Sequence, residues 1–456
     1  MDNYRRVSNA KATTDQNNDQ ELESVSTLDK MRQKFALIDL PIMFVMTLLI
    51  IISFIMVFSS TMHLKPDGLT APNPFSFMLT QAGAAIGGFI ALGILVALKY
   101  KFYENIILLN MAMAILVISL LALTVIGSIG GGAQSWISLG FASFQPSEVS
   151  KVASILIVSR LLQDQQREVV LSNEQEISNK MRNISILLIT TAVLLILAQP
   201  DLGMVILIVG SLIILVAQQY LSVKLNASLY ILIGTGIVVL NAFSRLASDW
   251  LVNHPSYQLN RIGSFTNPFL YPQSEGYQLI NGYLAFSRGG WFGVGIGQGV
   301  TKRFSLPAGH TDFILANIGE ETGLLGVSLV IGLLFVLIFM IYRWAAQSVS
   351  DFRRNVLFGI ATLFLVQTFV NLGGIAGVIP LTGVTLPFVS YGGSSMLVSI
   401  FTIGIAQVMI IEEKQQAKRA VEKRLKEEYE QTVKTNERLK NQTAGLTLVH
   451  SRKQEK

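Results

Sequence analysis

The sequence contains no cysteine, and only 14% of its 456 residues are charged. The first absence excludes a disulfide framework and any thiolate metal site. It does not fix a compartment, because a chain buried in lipid needs no disulfides. The second absence excludes an ordinary soluble surface, since 51% of the residues are apolar and the mean hydropathy is positive. The apolar runs also lack the alternation of polar and apolar residues that a spanning β-barrel requires. No internal repeat is present, so there is no sequence sign of an inverted-repeat transporter. What remains is a series of runs long enough to cross a hydrocarbon layer of ~30 Å, which takes roughly 20 helical residues. Hydrogen bonding closed within each helix makes such runs viable in lipid. The expected fold class is all-α: a polytopic helical membrane protein of about ten transmembrane helices with one large extracytoplasmic loop.

The spans are expected at 38–60, 77–98, 105–127, 148–163, 184–199, 203–220, 227–247, 313–342, 356–376 and 394–412. Residues 1–35 hold six acids and six bases with few large hydrophobes, which reads as a flexible tail rather than a signal peptide. Residues 36–412 form the transmembrane domain, 248–312 its only long loop, and 413–456 a charged tail. In that tail both signs of charge recur at helical spacing, as in a solvated helix continuing the last span. Lysines and arginines crowd the short loops on one side: Lys30, Arg32 and Lys34, then Lys99 and Lys101, then Arg160, Arg167, Lys180 and Arg182, then Arg343, Arg353 and Arg354. The positive-inside rule makes that side, and both termini, cytoplasmic.

Ionisable or helix-breaking residues at span ends need a reason, because a charge at a helix centre costs about 2.5–3.5 kcal/mol on insertion scales. Five clusters qualify, and all fall near the outer side. In "GGAQSWISLGFASFQPSEVSK" (131–151), Trp136 is placed for the interface, Ser147 can cap the next helix, and Glu148 and Lys151 share a helix face. In "QPDLG" (199–203), Asp201 sits at a break and reads equally as a helix cap. The stretch Asn260–Arg303 mixes aromatics, glycines and the bases Arg261, Arg288, Lys302 and Arg303, on the side where bases are disfavoured. That departure points to an anionic ligand such as a phosphate. Its glycines lack the strand–helix frame of a nucleotide loop. In "LPAGHTDFILANIGEETG" (306–323), Asp312 stands where the long loop meets a helix expected to begin near it, beside His310 and Thr311. A lone aspartate at a helix start is most often a cap. Glu320 and Glu321 follow about 12 Å further along. The fifth cluster, "GVIPLTGVTLPFVSYGGSS" (377–395), is an irregular segment able to re-enter the outer leaflet where protein or water covers it. A cavity open to the outside accounts for all five.

In this order and on this topology, the segments "GAQSWISLG…QPSEVSK", "QPDLG", "GYQLINGYLAFSRGG", "LPAGHTDF…GEETGLLG" and "TGVTLPFVSYGGSS" resemble the SEDS family of cell-wall polymerases (FtsW, RodA, SpoVE) over residues 38–412. Departures from the family pattern are Ser135 where arginine is common, Met204 where a hydroxyl residue is frequent, Gln258 where a base is frequent, and Ala308 where glutamate is frequent. The resemblance implies a peptidoglycan glycosyltransferase of the bacterial plasma (inner) membrane that polymerises lipid II into β-1,4 glycan strands in division or elongation. FtsW is favoured over RodA, and the alternatives are a precursor flippase or a non-catalytic scaffold. It also implies a class B penicillin-binding protein as partner, and leaves room for a divalent cation, Mg or Mn. The family's essential aspartate falls on Asp312, implied as general base. Substrate contacts implied in the first half are Trp136, Gln145, Ser147, Glu148, Lys151 and Asp201. In the outer loop they are Arg261, Gln278, Lys302 and Arg303. Around and after Asp312 they are His310, Thr311, Glu321, Ser390, Gly392, Gly393 and Ser394.

Overall fold

The computed structural model describes residues 27–62, 74–126, 128–130, 133–138, 143–166, 172–220, 267–270, 275–304 and 309–454, with isolated positions between 235 and 272. A short amphipathic helix, α1 (Thr27–Ala36), leads into the apolar helices α2 (Leu40–Thr61), α3 (Pro74–Ala97) and α4 (Ile106–Ile126). After a small three-stranded antiparallel ribbon come α5 (Pro146–Gln166), α6 (Ser172–Ala198) and α7 (Leu202–Tyr220). Then follow α8 (Glu275–Gly289), α9 (Ile314–Gln347), α10 (Asp351–Ile375) and α11 (Gly393–Gln454).

Eight described helices are long and apolar enough to cross a membrane. α5 has a span's length at 21 residues, but its charged side chains keep it out of that set. The chain buries those charges as pairs, Glu148 with Lys151 and Arg160 with Asp164. The expected seventh span, 227–247, falls largely outside the described residues, as do most of the first tail and the loop from 248 to 266. Large side chains such as Leu40, Ile115 and Phe339 point outward and exposed, the inside-out pattern of a surface meant for lipid. α11 and α10 form the centre: 89% of the apolar window of α11 is buried, against 17% for the peripheral α6.

At the end opposite Asp312, α11 is fastened to the rest of the bundle. Glu413 accepts from Arg353 Nε at 2.6 Å, Ser348 Oγ at 2.8 Å and the Val349 amide at 2.8 Å. Asp39 caps α2 through the Ile42 amide and also accepts from Trp344 Nε1 at 3.0 Å. Lys414 lies 3.5 Å from the Asp39 carboxylate and over the Trp344 ring. Beyond Glu413 the helix runs on without interruption through Gln454, as the interspersed charges of the tail predict.

The segment expected to be an irregular outer loop is partly helical. α8 packs its apolar side on α9, burying Leu279 and Ala285, and its polar residues and central glycine hide this from a search for spans.

Candidate active site

The site is assembled at one end of the bundle, where the five motif segments meet. The ribbon consists of Ser128–Gly130, Ala133–Ser138 and Ser143–Phe144, and in it Trp136 is half-buried opposite Ser128. Pro146 occupies the first position of α5, where its missing N–H is not needed. Ser147 therefore lies inside the first turn rather than capping it, with its hydroxyl buried. Gln145 immediately precedes the helix. Its amide donates to Ser394 Oγ at 3.1 Å, its side chain donates to Asp201 Oδ2 at 3.1 Å, and Ser394 Oγ donates to the Ser143 carbonyl at 2.5 Å. Asp201 Oδ1 accepts from the Met204 amide at 3.1 Å, so this aspartate does cap α7. Burial raises its pKa above the usual carboxylate range.

Glu148 and Lys151 pair at 2.6 Å with both side chains buried. Lys151 also donates to Gln367 Oε1 at 3.3 Å, and Gln367 Nε2 donates to the Thr385 carbonyl at 2.9 Å. One turn along α10, Asn371 Nδ2 donates to the carbonyls of Val384 and Asp312, each at 2.8 Å. Two amides on one face of α10 thus hold consecutive residues of the irregular 376–392 segment. The far side of that segment is clamped by Gln81 of α3, which donates to the Ser390 carbonyl at 3.0 Å and accepts from the Gly392 amide at 3.2 Å. Ser390 Oγ in turn accepts from the Leu386 amide at 2.8 Å. Buried Phe388 (φ 62°) turns the chain in the left-handed region and packs on Phe364. Irregular backbone at this depth is tolerated because protein supplies its partners. Gly393 starts α11, against Thr80 of α3.

Asp312 is not a helix cap. The cap position of α9 is Phe313, which makes no side-chain cap bond, and the helix proper begins at Ile314. The partly exposed Asp312 carboxylate accepts from Thr311 Oγ1 at 2.9 Å. The turn that carries it is held at three carbonyls. Asn317 Nδ2 donates to Gly309 O at 2.7 Å, the Tyr391 amide donates to His310 O at 2.9 Å, and Asn371 holds Asp312 O. His310 stacks edge-on with Phe77 at 5.3 Å and lies 5.5 Å from Tyr391. Burial lowers its pKa, which keeps the imidazole neutral at neutral pH. A partly exposed carboxylate on a fixed backbone is suited to accepting a proton.

Two of the four outer-loop bases, Lys302 and Arg288, face carboxylates of the protein itself. Lys302 Nζ lies 2.5 Å from Glu321 Oε1 and donates to Ser59 Oγ at 2.8 Å, with both charged side chains 1% exposed. Glu321 also accepts from Ser59 and from the Gly297 amide. Glu320, equally buried, accepts from the amides of Val300 and Thr301 and from the Thr301 hydroxyl, with Arg288 3.8 Å away. Lys302 and Glu321 are therefore turned into the protein, and they fasten residues 289–303 to α9 and α2. The glycines of this stretch serve the same contact. A Cβ on Gly289 would stand 1.8 Å from the Gly319 carbonyl, and Gly323 (φ 68°) kinks α9 where the loop crosses it. Arg261 lies outside the described residues. Arg303 is in the short turn Thr301–Phe304, its side chain likewise undescribed. Gln278 is half-buried on α8. Among the described residues, no three histidine or acidic side chains form a group that could hold a metal ion.

Asn371 and Gln367 escape a search confined to span ends. The available signal is an amide inside an apolar run, as in "VQTFVNLGG" of α10.

The family profile of FtsW, RodA and SpoVE, described as "Cell cycle protein", matches residues 39–416. The chain is 34% identical over 389 residues to a probable peptidoglycan glycosyltransferase FtsW of Bacillus subtilis (strain 168), covering 83% of this chain and 91% of that one. It is 36% identical over 293 residues to the protein of the same description from Coxiella burnetii, covering 64% and 74%. Among solved structures, one reported as "Structural coordination of polymerization and crosslinking by a peptidoglycan synthase complex" superposes with a TM-score of 0.62 at 25% identity, covering 83% of this chain and 99% of the other. The rod shape determining protein RodA of Thermus thermophilus shares the fold, with a TM-score of 0.54 at 23% identity over 82% and 97%. With the profile spanning nearly the whole helical bundle and the motif segments gathered at one end of it, the chain belongs to the FtsW, RodA and SpoVE family.

Proposed function

We propose that this chain is a peptidoglycan glycosyltransferase that polymerises lipid II, with Asp312 as general base. The observation that carries the reading is the setting of Asp312: a partly exposed carboxylate, not spent on a helix cap, on a turn anchored at three carbonyls. In the reaction, the acceptor sugar hydroxyl gives its proton to the Asp312 carboxylate as its oxygen attacks the donor's anomeric carbon. The bond from that carbon to the undecaprenyl pyrophosphate breaks, and the lipid pyrophosphate leaves with the electron pair. One displacement inverts the anomeric centre and gives a β-1,4 linkage.

The leaving charge needs cationic or hydrogen-bonding help. Because Lys302 is neutralised by Glu321, that role passes to Arg261 and Arg303. A divalent cation beside the pyrophosphate would take its oxygen ligands chiefly from the substrate, as magnesium commonly does.

The FtsW names of the similar proteins favour the division branch. The superposition on a peptidoglycan synthase complex supports a class B penicillin-binding protein as partner. The lysine and arginine distribution supports both termini in the cytoplasm of a bacterial plasma membrane. The deciding experiment incubates lipid II with purified protein in detergent, alone and with its cognate transpeptidase. Glycan strands are the expected product. Transport needs two compartments, so absence of polymer in both samples would favour a flippase or a scaffold.

A further inference from the structure

Between Arg288 and Lys302 lie thirteen residues without a charge, "GGWFGVGIGQGVT". Read as part of the outer loop, they would stand in water. Their large side chains are turned away from the protein, with Trp291 66%, Phe292 81% and Ile296 58% exposed. Much of the backbone beneath them is bonded within the protein. The amides of Gly293, Val294, Gly295, Gly297 and Gln298 donate to Gly289 O, Glu320 O, Glu321 O, Glu321 Oε2 and Gly295 O. The loop therefore combines an apolar outer surface with a backbone anchored to α9, which suits the boundary between acyl chains and headgroups better than the hydrocarbon centre.

Its level along α9 agrees. Arg343 marks the cytoplasmic end of the outward-facing apolar run of α9. A hydrocarbon layer of ~30 Å at about 1.5 Å per residue then reaches back roughly 20 residues, to about residue 323. The loop is bonded to the helix there: the amides of Leu324 and Leu325 donate to Gly290 O and Trp291 O. Leu324 and Leu325 are themselves exposed, so the loop's apolar face continues the lipid-facing surface of α9.

We infer that residues 290–297 are immersed in the bilayer, at the acyl boundary of the leaflet on Asp312's side. Lipid chains cover Trp291, Phe292 and Ile296. The occupant is lipid rather than protein, because the face is continuous with a helix surface already turned to lipid.

The absence of cysteine makes the test direct. Single nitroxide labels at Phe292→Cys and Ile296→Cys in vesicles of phosphatidylethanolamine and phosphatidylglycerol report collisions with oxygen, which enters lipid, and with a neutral nickel chelate, which stays in water. Lipid-facing Leu329→Cys and the exposed tail position Thr432→Cys are the references. The expected oxygen-to-nickel ratio at both loop sites is well above that at Thr432 and at or below that at Leu329, which lies about 9 Å deeper along α9. Nickel collisions as frequent as at Thr432 would place the loop in water. Low collisions with both reagents would mean a protein face covers it, and either result overturns the inference. Should the labelled variants misfold, brominated acyl chains must quench wild-type tryptophan fluorescence more than that of Trp291→Phe. Equal quenching would also overturn it.

Discussion

Replacing Asp312 by asparagine removes a proton acceptor while keeping the size and shape of the side chain. The bond from Thr311 Oγ1 to Asp312 Oδ1, 2.9 Å long, can be accepted equally by the amide oxygen. The bond from Asn371 goes to the main-chain carbonyl of residue 312 and does not depend on the side chain. No helix cap is lost, since Phe313 holds that position without a side-chain bond. Weakening that one hydrogen bond costs about 0.5–1.5 kcal/mol, and any further structural cost is read separately as thermal stability. Loss of a general base typically costs a factor of about 10²–10⁴ in rate, or roughly 2.7–5.5 kcal/mol on the barrier. The two ranges do not overlap. The assay is strand formation from lipid II by purified Asp312→Asn, with expression and thermal stability matched to wild type. Polymer made at more than about a tenth of the wild-type rate would refute the assignment. The base would then have to be sought at Asp201, because Glu148 and Glu321 are held in ion pairs.

Lys302→Met strands the buried Glu321 carboxylate and should cost about 3–5 kcal/mol of stability, with most of it recovered when Glu321→Gln is added. Thermal unfolding of the single and double variants decides this, and a stable single variant with no polymerase activity would return Lys302 to the substrate. Gly289→Ala drives a Cβ onto the Gly319 carbonyl and should destabilise by at least the ~1–3 kcal/mol of an overpacked contact, read as a lowered melting temperature. Pro272→Cys in intact cells should react with an impermeant maleimide and Thr432→Cys should not, and the reverse pattern would invert the orientation.

The spanning helices are legible in the sequence because lipid enforces one pattern, an unbroken apolar run. The described spans overlap their expected places, with α6 starting twelve residues early and α11 continuing into the charged tail. The short ribbon is not, since Gly, Ala and Ser in "GGGAQSWISLG" favour no element and pairing there depends on tertiary contact. The Asp201 and Asp312 positions look alike in sequence, each an aspartate before an apolar run. Only the backbone separates them, one capping α7 through Met204 and the other lying two residues before α9, with Phe313 at the cap position. The fate of Lys302 was hidden because its partner lies 19 residues further on, across a chain reversal. Charge on the outer side marked the stretch as unusual without saying whether the counter-charge was a ligand or the protein.

The central helix α11 is pinned near both membrane faces, by Ser394 to the Ser143 carbonyl and by Glu413 to Arg353. Between the pins lie about 29 Å of uninterrupted helix, at 1.5 Å per residue. Beyond the second pin roughly 60 Å more project from the bundle. Mechanically this is a shaft seated in two bearings with a long free end. A load on the free end cannot slide the shaft axially while both bearings hold. It arrives at Ser394 as torsion, or only after the Arg353–Glu413 seat yields, at a cost of about 3–5 kcal/mol for a buried pair. That seat fixes the threshold below which forces on the charged tail leave the catalytic end undisturbed.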